Sequence, residues 1–546
     1  MIQSERPRVG VALSGGGFRA AAFHLGVLKR LEELGVLARI EALSTVSGGS
    51  ITGALYALRC AQHGGAPGSY GVDALIDEMQ PVLFDNLRAR ALFGTPRRAM
   101  RALQSMVSTR ISRIGLMVED LDRRLFQGAT LNQLPPWIAI NATNLRTGKG
   151  WRFMADRAGD YLAGATEHTK TIRIADAVAA SAAYPGLTDS YAFETRWEHM
   201  RGDLLDERRW ERPPAAQLGS VSRWRARYGA PEGPVRFPLV DGGLYDNEGI
   251  NTLRGHKITH AIISGVAPPE SDSPSGFGAT RLLRVIEVVH GRLGAATRQL
   301  AHEMTHGVHP GTAAQRLKVL ADSLRATANA PELPNAVRSV LADGADEAEA
   351  IAAVGMPPRG PQFTASAQVL LQRVDLADNA FASTERGGLD VPMEYRGLEA
   401  PLAAELSRVR TDLDALEPVV FDLLMAQGYF LTDFLVKLTM PELVFEDRTS
   451  RAWYATGVRP DWARAHAAVQ AANANGAHSA DLLRSAAHRV MPIGRVPNAT
   501  ALWVYWANFV LLAAPVAVVL LAIALWLLYG LWSAGAALWF AATKLI

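Results

Sequence analysis

Short apolar runs alternate with longer stretches of helical spacing along the first half of the chain. Residues 8–13, RVGVAL, form an apolar run that stops at Ser14-Gly15-Gly16-Gly17. The segment that follows, FRAAAFHLGVLKRLEELGVL, places Phe23, Val27, Leu28, Leu31 and Leu34 on one helical face, and Gly35 supplies a stop. IEALSTV then reads as a second strand and SGGSITGALYALRC as a second helix. Strand–helix–strand–helix with short turns predicts an α/β layer with a mainly parallel central sheet. Further strands are predicted at WIAINATNL, WRFMA, VRFPLV and ITHAIISG. Residues 196–228, rich in Arg and Trp, read as a loop insertion, and PPESDSPSG at 268–276 as another loop. Helical spacing is expected over 279–355, MPPRGPQ at 356–362 is a linker-like break, and 402–440 and 453–490 read as helices again.

The apolar pattern changes character at the C-terminus. Between Arg495 and Lys544 there is no Asp, Glu, Lys, Arg or His, and Leu502 to Tyr529 is almost wholly apolar. A membrane-crossing helix needs about 20 apolar residues. Trp503, Tyr505 and Trp506 at one end and Trp526, Tyr529 and Trp532 at the other read as interfacial aromatics. Pro515 and Gly530 are the places where this run is able to bend, and Leu531–Phe540 leaves open a second, partial pass. Arg484, His488, Arg489 and Arg495 precede the segment and only Lys544 follows, so the positive-inside rule expects the large N-terminal part in the cytoplasm. The N-terminus carries no signal-peptide pattern.

Charge adds one local feature. The formal net charge of +3 gives no nucleic-acid signal. Residues 86–118, however, contain seven arginines and no Asp or Glu, interleaved with Leu92, Phe93, Met100, Leu103 and Met106. Such a stretch reads either as a membrane-surface element or as a solvated helix whose arginines pair with distant acids. The single cysteine, Cys60, excludes a disulfide framework and a cysteine-based zinc site.

Three short motifs carry candidate chemistry. SGGGFR at 14–19 ends a strand and opens a helix, where glycine N–H groups are able to cradle a phosphate or an oxyanion. STVSGG sets Ser47 between a strand and a helix of small residues, close to the G-x-S-x-G of a nucleophile elbow, but with Thr45 at the first glycine position. LVDGGLYDNEG ends an apolar run with Asp241 and two glycines, at a strand edge where α/β ligands bind. A competing motif, His302-Glu303-Met304-Thr305-His306, is a literal H-E-x-x-H zinc pattern, but Gly307, Pro310 and Gly311 follow it at once.

The order SGGGFR, STVSGG, DGG resembles the patatin-like phospholipase family, with its G-G-G-x-R/K, G-x-S-x-G and D-G-G/A motifs. AASAAYPGL at 179–187, NATNLRTGKGWRF at 141–153 and RTDLDALEPVVFDLLMAQGYFLTD at 410–433 are similar to further blocks of that family. The resemblance implies a three-layer α/β fold with Ser47 as nucleophile and Asp241 as its base. It also implies Gly15, Gly16 and Gly17 as oxyanion-hole donors supported by Arg19, with no metal and no cofactor. His260 and His290 are the histidines to weigh for a conventional triad. The implied activity is hydrolysis of acyl lipids, a phospholipid or lysophospholipid substrate at a bilayer, with no nucleic-acid partner. The expected organisation is a catalytic core over 1–270, a helical extension over 271–440, a helical linker over 441–500 and a transmembrane anchor over 501–546. A patatin-fold protein that binds lipid without turnover and an H-E-x-x-H zinc peptidase are the alternatives.

Overall fold

The computed structural model describes residues 7–107, 113–185, 188–201, 233–254, 256, 258–266, 368–373, 395–409, 413–440, 443–444, 459–487 and 499–543. The H-E-x-x-H motif, His290, the loop at 268–276, the expected helices of 279–355, the break at 356–362 and most of the 196–228 insertion lie outside the described residues.

Ten strands among the described residues form one sheet. Strand β1 (Val9–Leu13) leads into helix α1 (Gly17–Glu33), β2 (Ile40–Val46) and α2 (Gly48–Gln62), as the periodicity predicts. Helices α3 (Val72–Leu83), α4 (Leu87–Phe93), α5 (Pro96–Val107) and α6 (Arg113–Leu121) follow. Then come β3 (Ile138–Asn144), β4 (Lys149–Phe153), β5 (Ala158–Asp160), β6 (Gly164–Thr166), α7 (Ile174–Ser181), β7 (Tyr191–Arg196) and β8 (Pro234–Asp241). Two short helices, α8 (Gly243–Asp246) and α9 (Ile250–Arg254), precede β9 (His260–Gly265) and β10 (Gln368–Arg373). The core of the sheet is parallel, in the order β10-β9-β1-β2-β3, and β4, β5 and β6 extend it as an antiparallel meander. The strand β10 falls in a region expected to be helical. A six-residue run such as QVLLQR is too short for its spacing to separate a strand from a helix.

Alternation along β1 divides its side chains between two faces. Val9, Val11 and Leu13 enter the large core with α1 and α2, while Ala12 joins Ala42, Ile250, Leu253 and Ile263 in a smaller core under α9. Helices therefore cover both faces, and the fold is the three-layer α/β arrangement.

The later helices are α10 (Ala400–Ser407), α11 (Pro418–Thr439), α12 (Ala463–Ala474), α13 (Gly476–Ala487) and α14 (Ala499–Thr543). Helix α11 is built into the core. A Cβ on Gly26 of α1 would lie 1.8 Å from the Met425 carbonyl oxygen, and one on Gly428 of α11 would lie 2.2 Å from the Phe23 carbonyl oxygen. The reciprocal notches let the two backbones touch. Beside them Arg30 donates to Asp433 Oδ1 at 2.9 and 2.6 Å, and Tyr429 OH donates to Glu33 at 2.6 Å. The segment Pro418–Lys437 is long and apolar enough to cross a membrane, with mean hydropathy 1.5, yet 83% of it is buried in the protein.

Helix α14 is different. It runs through Pro515 and Gly530 without a break, so Leu531–Phe540 continues the same helix. Its 45 residues span about 68 Å at 1.5 Å per residue, more than twice a bilayer core of about 30 Å. Its N-terminal part docks on α4 and α5, where Asn508 Nδ2 donates to the Phe93 carbonyl at 2.9 Å. Beyond that point large apolar side chains stand in the open, Leu525, Trp526, Leu528 and Trp532 among them.

Four of the seven arginines of 86–118 are paired with acids, and Arg110 and the Arg88 side chain lie outside the described residues. Arg90 meets Asp85 at 2.8 Å, Arg98 meets Asp120 at 3.1 Å, Arg101 meets Glu119 at 3.1 Å and Arg113 meets Asp189 at 2.6 Å. These acids come from outside the run or follow it directly, which is why its composition overstated its free charge.

Candidate active site

One residue separates β2 from α2, and it is Ser47, at φ 50° and ψ −117°. Among the described residues only Gln127 shares a positive φ without being glycine. Such a backbone costs on the order of 1–3 kcal/mol and persists only where neighbours hold it. The Ser47 N–H donates to Ser181 Oγ at 2.8 Å, and the Ser47 carbonyl accepts the Ser50 N–H at 2.9 Å. The glycines after Ser47 are obligatory for steric reasons. A Cβ on Gly48 would lie 2.0 Å from the Gly17 carbonyl oxygen, and one on Gly49 would lie 2.4 Å from that of Leu13.

Thr45, the departure from the elbow pattern, is accommodated. It is fully buried, donates to the Ala139 carbonyl at 3.2 Å and accepts from Ser50 Oγ at 3.1 Å. Space for its methyl group comes from α2, since a Cβ on Gly53 would sit 2.4 Å from Thr45 Cγ2. Close approach of strand and helix is thus supplied by a glycine on the helix in place of one on the strand.

Asp241 reaches Ser47 because two strands end on the same edge of β3. The last residue of β2, Val46, pairs with Asn141, and the last residue of β8, Asp241, pairs with the next position, Ala142. Strands β2 and β8 run in opposite directions along this edge, so their C-terminal ends converge. Asp241 accepts the Gly243 N–H at 2.7 Å. Burial raises the Asp241 carboxyl to about 6, against the lowering influence of the nearby Ser47 hydroxyl and of the Gly243 N–H.

The glycine loop lies alongside. Gly16 and Gly17 have φ of 142° and 59°, backbone regions that favour glycine. Gly17 opens α1, so its N–H has no acceptor within the helix. Gly16 and Gly17 N–H groups meet no acceptor among the described residues. Gly15 differs from the expected role: its N–H donates to the Asn247 carbonyl at 3.1 Å, so it is a committed donor. Its lack of a side chain still matters, because a Cβ there would lie 2.6 Å from Asn247 Oδ1 and 3.2 Å from Ser47 Cβ. Arg19, expected to support the loop, is fully buried. Its guanidinium donates to the carbonyls of Ser407 and Val409, tying the start of α1 to the end of α10.

No histidine among the described residues completes a triad with Ser47. His260 begins β9 and pairs with Val9, at the end of the sheet opposite to the glycine loop that follows Leu13. His24, which the sequence did not single out, is fully buried on α1. It bridges Ser264 Oγ at 2.9 Å and the Ser14 carbonyl at 3.0 Å. Burial holds it near 4, so it is neutral and braces the loop. Asn141 was also missed. Its Nδ2 donates to Ser44 Oγ at 3.0 Å and to the Thr45 carbonyl at 2.9 Å, fixing the end of β2. An asparagine inside an apolar strand pattern was the available signal for it.

Residues 11–254 match the family model described as patatin-like phospholipase. No curated protein matches the chain. Among solved structures, human GIVD cytosolic phospholipase A2 is similar at 15% identity over 53% of this chain and 49% of that one, with a TM-score of 0.34. The same human protein in complex with methyl gamma-linolenyl fluorophosphonate is similar at 12% identity over 88% of this chain and 60% of that one, with a TM-score of 0.35. VipD from Legionella pneumophila is similar at 13% identity over 86% of this chain and 91% of that one, with a TM-score of 0.24. The chain thus spans about half the length of the first of these.

Proposed function

We propose, from the premise that residues 11–254 form a patatin-like phospholipase domain, that the protein is a serine hydrolase of acyl lipids working through a Ser47–Asp241 dyad. The observation that carries this reading is the convergence of a strained elbow serine and a buried carboxyl at one edge of β3. A serine hydroxyl becomes a nucleophile when an adjacent base accepts its proton.

In the first half-reaction Ser47 Oγ attacks the ester carbonyl carbon while its proton passes to Asp241. The carbonyl electron pair moves onto oxygen, and the Gly16 and Gly17 N–H groups receive that oxyanion. Collapse breaks the bond to the alcohol portion, which leaves with the proton held by Asp241. In the second half-reaction water gives a proton to Asp241 and its oxygen attacks the acyl carbon. Collapse then breaks the acyl bond to Ser47 Oγ, which regains the proton, and a fatty acid is released. The carboxyl value near 6 leaves Asp241 ionised and competent at neutral pH.

Two features support action at a bilayer. Helix α14 presents exposed tryptophans and leucines over a length sufficient to cross one. Its N-terminal part is docked on α4, which would hold the catalytic domain close to the surface. The excess of arginine before the helix favours a cytoplasmic catalytic domain.

The test is labelling by a serine-reactive fluorophosphonate together with fatty-acid release from defined phospholipids and lysophospholipids. Wild type is expected to label and to release fatty acid, and Ser47→Ala to do neither. A folded wild type that fails both sinks the proposal.

A further inference from the structure

Ser181, the last residue of α7, opens a short segment, 181–183, that contacts the backbone of both members of the proposed dyad. Its Oγ accepts the Ser47 N–H at 2.8 Å, donates to the Asn141 carbonyl at 2.5 Å and lies 2.9 Å from Ser50 Oγ. Its own carbonyl accepts the Gly242 N–H at 3.1 Å, and two residues on the Ala183 carbonyl accepts the Asp241 N–H at 3.0 Å. The segment 181–183 therefore grips the peptide of the nucleophile with a side chain and the peptides of the base with carbonyls. It does so across the convergence of two strands that are not paired with each other.

We propose that Ser181 is a positioning residue that sets the Ser47 hydroxyl against Asp241 by anchoring the Ser47 backbone in its positive-φ conformation. The proposal rests on the Ser47–Asp241 reading above. Its physical basis is that Ser181 Oγ accepts the Ser47 N–H, while the Ser50 N–H holds only the carbonyl on the other side of Ser47. Ser47 belongs to neither β2 nor the α2 ladder, so its N–H has no sheet or helix acceptor. Ser181 is completely buried, and an alanine there leaves the Ser47 N–H without this acceptor. The peptide is then free to relax toward negative φ, which swings Oγ away from the carboxylate. Misplacement of reacting atoms by about 1 Å costs on the order of 100-fold in rate.

The experiment compares Ser181→Ala and Ser50→Ala in the full-length protein, by fluorophosphonate labelling rate and by hydrolysis of a short-chain p-nitrophenyl ester. Ser50 shares the Ser181 hydrogen bond but does not touch the Ser47 N–H, so it reports the structural share of the network. Ser181→Ala is expected to lose roughly 10- to 100-fold in labelling rate and kcat, with KM changed by no more than about twofold. Its acid limb should also move above that of wild type, because the Ser47 hydroxyl, whose proximity lowers the Asp241 carboxyl, moves away from it. Ser50→Ala is expected to lose thermal stability but to keep wild-type rates and the wild-type limb. If Ser181→Ala does not fold, Ser181→Cys keeps the volume with a weaker acceptor, and the same rate loss and limb shift are expected of it in smaller measure. The proposal is overturned if the folded Ser181 variant retains the wild-type rate and limb, or if Ser50→Ala matches its losses. Failure of wild type to label, or equal labelling of Ser47→Ala, overturns the dyad reading and this proposal with it.

Discussion

Helix α11 buries Phe421, Tyr429 and Phe430 in the protein with almost no exposure, whereas helix α14 holds Trp503, Trp526 and Trp532 at 70% exposure or more. Both helices are long and apolar, so hydrophobicity does not separate them. Their exceptions do. Helix α11 carries Gly428, Gln427 and Asp433, each of which needs a complementary group on a protein neighbour. It finds them in Phe23, Tyr395 and Arg30. Helix α14 has no charged side chain between its flanks and, past Asn508, offers little that a protein partner would be required to satisfy. A helix whose apolar face contains a notch and an acid is made for a specific partner; one without either is compatible with lipid.

The sharpest way to break this contrast is to fill a notch. Gly26→Leu would place Cβ 1.8 Å from a backbone oxygen and is expected to cost more than about 4 kcal/mol, enough to prevent folding. The same substitution at Gly535 of α14, with nothing within 4 Å, should stay within about 0.5 kcal/mol. Chemical unfolding in mild detergent checks both. Next in size, Asp433→Ala removes the acceptor of two Arg30 donors and should cost about 3–5 kcal/mol, read as a fall in the denaturation midpoint. The converse change, Leu521→Asp, puts an acid into the exposed middle of α14 at about 3 kcal/mol of insertion cost. It should move the protein from the membrane pellet to the supernatant while leaving fluorophosphonate labelling intact; an unmoved protein would remove the case for an anchor.

Asp241 sharpens the comparison from another side, as a buried acid with no cation such as Asp433 has. Its folded carboxyl, near 6, lies above the ordinary 3.8, so the folded state holds a proton that the unfolded state has released. The associated stability is fully present below about pH 4 and is lost as pH rises through about 6, by roughly 3 kcal/mol at completion. Asp241→Asn should therefore be inactive yet up to about 3 kcal/mol more stable than wild type at pH 8, with the difference closing at low pH. Wild-type activity runs the other way, falling as pH drops below about 6. The smallest expected effect is at the elbow. Gly53→Ala should destabilise by about 1–2 kcal/mol through its clash with Thr45, and adding Thr45→Gly should recover most of that loss in a double-mutant cycle.

The local order of strands and helices over the first half of the chain was legible because each element obeys one period. The strand β10 was not, since six residues are too few to show one. At the candidate site, Ser47 and Asp241 stood out in the sequence because glycines lie beside them, and the structure brings the ends of their strands together. The Gly15 N–H, expected as an oxyanion donor, is taken by the Asn247 carbonyl. Ser181, His24 and Asn141 act through backbone groups at long sequence separation and carry no spacing rule. The basic run of 86–118 left its two readings open for the same reason. Asp189, which neutralises Arg113, lies well outside it.

By itself, the sequence determined what each segment is able to become. Period 2 or 3.6, glycine where the backbone must turn or approach, and a charge-free terminal run are properties of the chain and need no partner. Which apolar helix is core, which arginine is free, and which carbonyl claims the Gly15 N–H are decided only when segments hundreds of residues apart meet. Those outcomes depend on desolvation and hydrogen-bond competition between the segments, and neither exists until the tertiary structure brings them into contact.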